Sequence, residues 1–171
     1  MVRLAVFEKQ IFFRLGVKRV FENNPDIHVA GEACSETSLF ELLAQTPVDI
    51  MLLGVNLPND TECVKITHRL RSDYPHVKIL AVANENTGET VQAMMAAGIN
   101  GYIGKRQANR NELEKAVLRV AAGGKYIGRI DGGIMIGKAV KLPTAAREVE
   151  MLRAALKNRR RQIANRFFLI E

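Results

Sequence analysis

The chain has 171 residues, of which 47% are hydrophobic and 25% charged, an ordinary globular composition with room for one full core and a smaller second module. It contains no apolar run of the roughly 18 residues that a membrane span requires, and no signal peptide opens it. Its two cysteines, Cys34 and Cys63, show neither metal-ligand spacing nor a disulfide pattern. These features exclude a membrane-spanning or disulfide-rich class, and we expect a cytoplasmic protein.

The net charge of +7 is concentrated toward the C-terminal end. Residues 1–122 carry 14 Lys and Arg against 14 Asp and Glu, whereas residues 123–171 carry 11 against 4. A basic segment beside a neutral body favours contact with a polyanion such as nucleic acid. The alternative is a solvated helical face that keeps the protein soluble.

Short apolar runs alternate with amphipathic segments over the first 122 residues. The runs predict strands at residues 2–7, 26–33, 48–54, 77–83 and 99–105, and the segments between and after them predict helices at residues 11–23, 35–45, 61–74, 87–98 and 109–124. Ser35 is a predicted N-cap, and Gly98 a predicted left-handed C-cap. This alternation predicts an α/β fold with a five-stranded parallel, doubly wound sheet, over residues 1–123.

The third predicted strand, in the stretch DIMLLGVNLP, ends at a residue without a side chain. The carboxyl ends of parallel strands form the edge at which α/β proteins bind ligands. Gly54 occupies that position and offers no functional group. One explanation is a tight turn that requires a positive φ.

Residues 124–141 contain several glycines and no clear period, which predicts a linker. Residues 142–171 then show two helical patterns, the first opened by Pro143 and Thr144. We expect these residues to form a short, all-helical C-terminal segment.

Three motifs resemble those of a known family. They are the short first strand followed by an acid, the third strand with its LLxxxxP pattern, and AAGINGYIGK at residues 96–105. Together they resemble a response-regulator receiver domain of the NarL/FixJ type. The resemblance implies a flavodoxin-like sheet with strand order 2-1-3-4-5, followed by a LuxR-type helix-turn-helix. The stretches REVEMLRAAL and RRQIANRFF in the tail are similar to the start of that DNA-binding domain.

The resemblance also implies which residues form the family's phosphorylation site, and most of them are replaced. The family's phosphoacceptor Asp corresponds to Gly54, its Mg²⁺-binding acids to Glu8 and Lys9, and its Ser or Thr to Ala83. Glycine supplies no nucleophile, a lysine repels a dication, and alanine cannot hydrogen-bond a phosphoryl group. We therefore predict a phosphorylation-independent pseudo-receiver without a catalytic residue, a bound metal or a cofactor.

Two positions of the family's site are retained, namely its lysine as Lys105 and its switch aromatic as Tyr102. Glu8, Lys9 and Lys105 sum to +1, so the pocket could bind a small anion or an acidic side chain. Alternatively, Glu8 and Lys9 form an ordinary surface pair, Lys105 pairs with Glu8, and Tyr102 is a half-buried edge residue.

The tail carries the predicted nucleic-acid contacts, which are Lys157, Arg159, Arg160, Arg161 and Arg166. The second helical pattern ends near Phe168, and no recognition helix follows it before Glu171. Two explanations remain open: the chain is cut from a longer transcription factor, or a basic remnant serves another purpose.

From these observations we expect a transcription regulator rather than an enzyme, with its receiver as a dimerisation module. The predicted homodimer would use the fourth helix, fifth strand and fifth helix, or the first and last helices. DNA is the expected partner if the helix-turn-helix is complete, and no membrane contact is expected. The alternative is a protein-interaction or anion-sensing pseudo-receiver that no longer binds DNA specifically.

Overall fold

The computed structural model describes residues 1–55, 61–84 and 88–129 of the chain. Its strands are β1 (Val2–Phe7), β2 (Ile27–Ala33), β3 (Ile50–Val55), β4 (Lys78–Ala83), β5 (Gly101–Gly104) and β6 (Tyr126–Ile127). Its helices are α1 (Ile11–Phe21), α2 (Glu36–Gln45), α3 (Thr61–Asp73), α4 (Gly88–Ala97) and α5 (Arg110–Ala121), with a single 3-10 turn at Lys105–Gln107. No helix in these ranges is both long and apolar enough to cross a bilayer.

The strands form one parallel sheet in the order β2-β1-β3-β4-β5-β6. The predicted order of the first five strands is confirmed, but the predicted number of strands is wrong. Tyr126 and Ile127 lie in the segment predicted to be a linker, yet they pair with β5. The backbone N–H of Gly128 also donates to the carbonyl of Tyr102 at 2.8 Å. The sixth strand therefore covers backbone groups that β5 would otherwise leave unpaired at the sheet edge.

Two apolar cores flank the sheet because successive side chains along each strand point to opposite faces. Along β1, Leu4 and Val6 belong to one core, together with residues of α1 and α5. Ala5 and Phe7 belong to the other core, together with residues of α2, α3 and α4. All six residues of β3 are buried, as expected for a central strand covered on both faces.

The predicted caps are confirmed. The Ser35 hydroxyl accepts from the backbone N–H of Ser38, and the Ser38 side chain reciprocates, so a serine completes a capping box without a glutamate. Gly98 ends α4 with a φ of +108°. In contrast, Gln10, the N-cap residue of α1, makes no side-chain capping hydrogen bond, and the first turn of α1 has no acidic residue. The predicted segment at residues 142–171 lies outside the described residues, as does the predicted linker beyond residue 129.

Candidate functional site

The parallel sheet brings the ends of β1, β3, β4 and β5 to one edge. Glu8 follows β1 directly, Gly54 lies near the end of β3, Ala83 ends β4, and Lys105 follows β5. Glu8, Gly54 and Lys105 come together there, as their positions in the sequence predicted. Ala83 is buried in strand pairing with Val55.

A buried ion pair occupies the centre of this edge. The Glu8 side chain is fully buried and that of Lys105 is 9% exposed, and Nζ of Lys105 lies 2.7 Å from Oε2 of Glu8. This contact is an ion pair without the alignment of a hydrogen bond. Oε1 of Glu8 accepts from the backbone N–H of Gln10 at 2.9 Å. The prediction that Lys105 pairs with Glu8 is confirmed, whereas the interpretation of Glu8 as half of a surface pair is wrong.

Lys105 makes two further contacts that fix its ammonium group. It donates to Oε1 of Gln10 at 3.2 Å, and it lies 5.0 Å from the centroid of the Phe13 ring. Gln10 lies in the β1–α1 connection, and Phe13 lies in the first turn of α1. One lysine after β5 therefore holds the beginning of α1 against the sheet.

Gly54 is required by the close approach of Glu8 rather than by a turn. Its backbone lies within β3, and the positive φ values among the described residues belong to Gly98 and Gly123, so the turn explanation is wrong. A Cβ at position 54 would lie 2.2 Å from Oε2 of Glu8 and 3.1 Å from the carbonyl oxygen of Phe7. The Glu8 carboxylate therefore fills the space into which any side chain at position 54 would project.

Lys9 forms an ion pair with a carboxylate on α3. Its Nζ lies 2.6 Å from Oε2 of Glu62, in the first turn of α3, and both side chains are exposed. The predicted sum of +1 counted Glu8, Lys9 and Lys105; Glu62 adds a carboxylate beside Lys9, as Glu8 does beside Lys105. Glu62 was missed because it lies 53 positions away along the chain. The one sequence signal for this contact is the position of Glu62 in the first turn of the helix that follows β3.

Arg14 was also missed by sequence reasoning. It lies on α1, and its Nη1 donates to the carbonyls of Glu8 at 2.6 Å and Lys9 at 3.2 Å. It thereby satisfies backbone acceptors of the β1–α1 connection. A spacing of five and six residues from these carbonyls gives no recognisable motif, so nothing in the sequence pointed to this role.

Tyr102 is fully buried within the core that contains Phe7, so the interpretation of Tyr102 as a half-buried edge residue is wrong. Its position in β5 places it in the register opposite Ala81. A buried aromatic ring in a close-packed core has little freedom to change rotamer.

The residues at this edge do not fit the Mg²⁺ ion of the family's site. Such an ion takes oxygen ligands that include one or two carboxylates. The Glu8 carboxylate is engaged by Lys105, a lysine stands at position 9, and Gly54 supplies no ligand. Within the described ranges, no cluster of three or more His, Cys, Asp or Glu side chains could hold a metal ion. The predicted nucleic-acid contacts, Lys157, Arg159, Arg160, Arg161 and Arg166, lie outside those ranges.

Comparison with known proteins agrees with this fold. The chain is 29% identical over 126 residues to the transcriptional regulatory protein DegU of Brevibacillus brevis, with 74% of the chain and 52% of DegU covered. It is 27% identical over 186 residues to the DNA-binding transcriptional activator DevR/DosR of Mycobacterium tuberculosis, with 100% of the chain and 82% of that protein covered. The chain thus spans about half the length of DegU.

Similar solved structures include the isolated receiver domain of RcsB from Salmonella enterica serovar Typhimurium. The TM-score is 0.67 at 16% identity, with 74% of this chain and 92% of that chain covered. A structure of two RcsB dimers bound to two parallel DNAs has a TM-score of 0.65 at 18% identity, with 74% and 63% covered. Residues 5–118 match the family model described as the response regulator receiver domain. The chain belongs to the response regulator receiver domain family.

Proposed function

We propose that this chain is the receiver part of an atypical, cytoplasmic response regulator that acts in transcription without being phosphorylated. The observation that carries this proposal is the position of the Glu8 carboxylate. It fills the space beside Gly54 and pairs with Lys105 at 2.7 Å. Lys105 thus already contacts a carboxylate, but this carboxylate belongs to Glu8 after β1, whereas the family's phosphoacceptor Asp would lie at the end of β3.

This arrangement argues against formation of an acyl phosphate at the sheet edge. Transfer of a phosphoryl group to form an acyl phosphate needs an accessible carboxylate nucleophile. The Glu8 side chain is fully buried. The charge of the Lys105 ammonium is already balanced by Glu8, which weakens its attraction for an incoming phosphoryl group. Ala83 at the end of β4 offers no hydroxyl to hold such a group. The pseudo-receiver proposal rests on all three features.

Transcription is proposed from the relatives and the charge distribution. DegU is a transcriptional regulatory protein, and DevR/DosR is a DNA-binding transcriptional activator whose alignment extends over this whole chain. The basic residues between positions 123 and 171 are suited to phosphate contacts through Lys157, Arg159, Arg160, Arg161 and Arg166. We propose that this segment is part of a LuxR-type helix-turn-helix and that the receiver domain dimerises to position it.

A second candidate function is a protein-interaction module that no longer binds DNA specifically. The apolar outer surface of α1 favours it, since Ile11, Phe12 and Leu15 are exposed there. Anion sensing is less well supported, because Lys9 and Lys105 each contact a carboxylate.

Treatment with acetyl phosphate or beryllofluoride and Mg²⁺ tests the proposal. The intact mass and the sedimentation of the wild-type chain should not change. Gly54→Asp alone should behave in the same way, because Glu8 still fills the pocket. The rebuilt variant Glu8→Asp/Lys9→Asp/Gly54→Asp/Ala83→Thr restores the family's residues and serves as the positive control. A stable adduct on the wild-type chain would contradict the proposal.

Titration of fluorescent genomic DNA fragments at two salt concentrations separates the two candidate functions. Sequence-selective binding that does not depend on beryllofluoride would support the transcription regulator. Weak binding that is equal on all fragments and disappears with salt would favour the protein-interaction module.

A further inference from the structure

A short segment after α5 lies along the edge of the sheet. Tyr126 and Ile127 pair with β5 in parallel, and the backbone N–H of Gly128 donates to the carbonyl of Tyr102 at 2.8 Å. The side chains of Tyr126 and Ile127 are half-buried, and each packs against a different one of the two cores. We call residues 125–129 the strap.

Side chains from two neighbouring elements hold the strap on β5. Nε2 of Gln107, in the 3-10 turn that follows β5, donates to the carbonyl of Arg129 at 2.8 Å. The hydroxyl of Tyr126 donates to the carboxylate of Glu112 on α5. The end of the strap is therefore held by the 3-10 turn, and its middle is held by α5.

The strap is built to leave β5 without unfolding the rest of the receiver. It pairs over two residues at the edge of the sheet, and its paired side chains are half-buried. Its first residue stays tethered to α5, where Nε of Arg119 donates to the carbonyl of Lys125 at 3.3 Å. Segments with few buried apolar contacts open locally at a small fraction of the global unfolding free energy. The strap is therefore suited to two arrangements, docked on β5 and released.

The 3-10 turn that holds the strap also carries one member of the buried ion pair. Lys105 is the first residue of this turn, and its Nζ lies 2.7 Å from Oε2 of Glu8. Gln107 is the last residue of the turn. The backbone N–H of Ala108 donates to the carbonyl of Lys105 at 3.2 Å and closes the turn. One short turn therefore contacts the Glu8 carboxylate at its start and the strap at its end.

A second series of hydrogen bonds joins the turn to the strap through the start of α5. The backbone N–H of Asn109 donates to the carbonyl of Gln107 at 2.8 Å. The Asn109 side chain accepts from the backbone N–H of Glu112 at 3.1 Å and caps α5. The Glu112 carboxylate accepts in turn from the Tyr126 hydroxyl. Two contiguous routes therefore lead from the turn to the strap.

We propose that the strap is a conformational device whose docking on β5 is controlled by the Glu8–Lys105 ion pair through the 3-10 turn. The ion pair holds the turn in the position from which Gln107 binds the strap. Loss of the pair loosens the turn and shifts the strap toward its released arrangement. Because the strap leads along the chain to the basic tail, the device carries a change in the pocket to the C-terminal side of the receiver.

Hydrogen exchange of the full chain, followed by peptide mass spectrometry, tests this coupling. Glu8→Gln/Lys105→Met removes both charges, so it leaves no buried charge without its partner. It should raise the exchange rates of strap and β5 amides by about tenfold. Arg3→Gln/Asp49→Asn, which neutralises the exposed pair at the other end of β1, is the matched control and should leave these rates unchanged. Peptides from α2 serve as the internal reference for global stability.

A second variant shows whether the coupling passes through the 3-10 turn. Gln107→Ala should by itself speed the exchange of strap amides, because it removes the hydrogen bond to the carbonyl of Arg129. Gln92→Ala, at an exposed glutamine of α4, should not. In the Gln107→Ala background, neutralising the buried ion pair should add much less than the tenfold increase that it causes alone.

Three outcomes would overturn the device. The first is strap exchange at the wild-type rate after the buried pair is neutralised. The second is an equal increase in the α2 peptides, which would indicate global destabilisation instead of release of the strap. The third is an undiminished effect of the neutralised pair in the Gln107→Ala background. Exchange is measured without DNA or a phosphoryl donor, so the device and the proposed function can fail separately.

Discussion

The two ends of β1 each carry an ion pair, but in opposite environments. At the amino end, Nη2 of Arg3 lies 2.5 Å from Oδ1 of Asp49, and its Nε and backbone N–H both donate to Oδ2. These side chains are 44% and 37% exposed. At the carboxyl end, the Glu8–Lys105 pair has a similar distance but is almost fully buried.

The difference teaches that burial decides the consequence of an ion pair. An exposed pair contributes about 0–1 kcal/mol to stability, because water already solvates its charges. A buried pair has offset the cost of desolvating both charges, so the loss of one partner costs about 3–5 kcal/mol. One member of the Arg3–Asp49 pair can therefore be replaced at little cost in stability. Replacing one member of the Glu8–Lys105 pair leaves a buried charge without its partner.

The largest predicted effect follows from neutralising one member of the buried pair. Glu8→Gln should lower the free energy of unfolding by about 3–5 kcal/mol, because Lys105 then lies buried without its carboxylate. Arg3→Gln, at the exposed pair, should lower it far less, because water already solvates both charges. Urea unfolding measures both values.

The double variant Glu8→Gln/Lys105→Met serves as the control for that comparison. It removes both charges, so it should recover most of the stability that Glu8→Gln loses. Equal losses in Glu8→Gln and Arg3→Gln would contradict the assignment of different burial to the two pairs.

The next effect concerns the space beside the buried pair. Gly54→Ala places a Cβ against the Glu8 carboxylate and should lower the free energy of unfolding by about 1–3 kcal/mol through overpacking. Gly16→Ala, at an exposed glycine within α1, should instead raise it by about 0.5–1 kcal/mol. The urea midpoints of the two variants should therefore move in opposite directions.

A smaller effect on stability is expected at low pH for the Arg3–Asp49 pair at the amino end of β1. The hydrogen bond from Arg3 lowers the pKa of Asp49 below its ordinary value. The contribution of Asp49 to stability is therefore present above its unfolded pKa of about 3.9, and is lost as the pH falls through the folded pKa. The stability difference between wild type and Asp49→Asn should shrink toward low pH. A constant difference in urea midpoints from neutral pH to pH values below the folded pKa would contradict this.

The smallest effect is expected at β6. Burial and a hydrogen bond to Glu112 raise the pKa of Tyr126 to about 12. Folding stability that depends on the neutral phenol is complete below the unfolded pKa of about 10 and is lost as the pH rises through 12. Ultraviolet titration of wild type and Tyr126→Phe should differ by a phenol that ionises near pH 12. A difference that titrates near pH 10 would show that Tyr126 is exposed.

Most of the sheet could be predicted from local patterns, because buried parallel strands read as continuous apolar runs. β6 could not, since two residues among glycines give no periodicity, and only the open edge of β5 explains their pairing. The replacement of the phosphoacceptor by Gly54 was visible in the sequence. That Glu8 fills the resulting space was not, because the contact depends on a side-chain conformation across two strands. The contact between Lys9 and Glu62 was not visible either, because Glu62 lies 53 positions further along the chain, on α3.

One measurement tests most directly whether the Glu8 carboxylate occupies the place of the missing phosphoacceptor. The cost of Gly54→Ala should be measured by urea unfolding in the wild type and in the Glu8→Ala/Lys105→Met background. The account predicts that most of the penalty of about 1–3 kcal/mol disappears in that background, because the carboxylate that meets the new Cβ is gone. An equal penalty in both backgrounds would contradict it and would show that Glu8 does not fill the pocket.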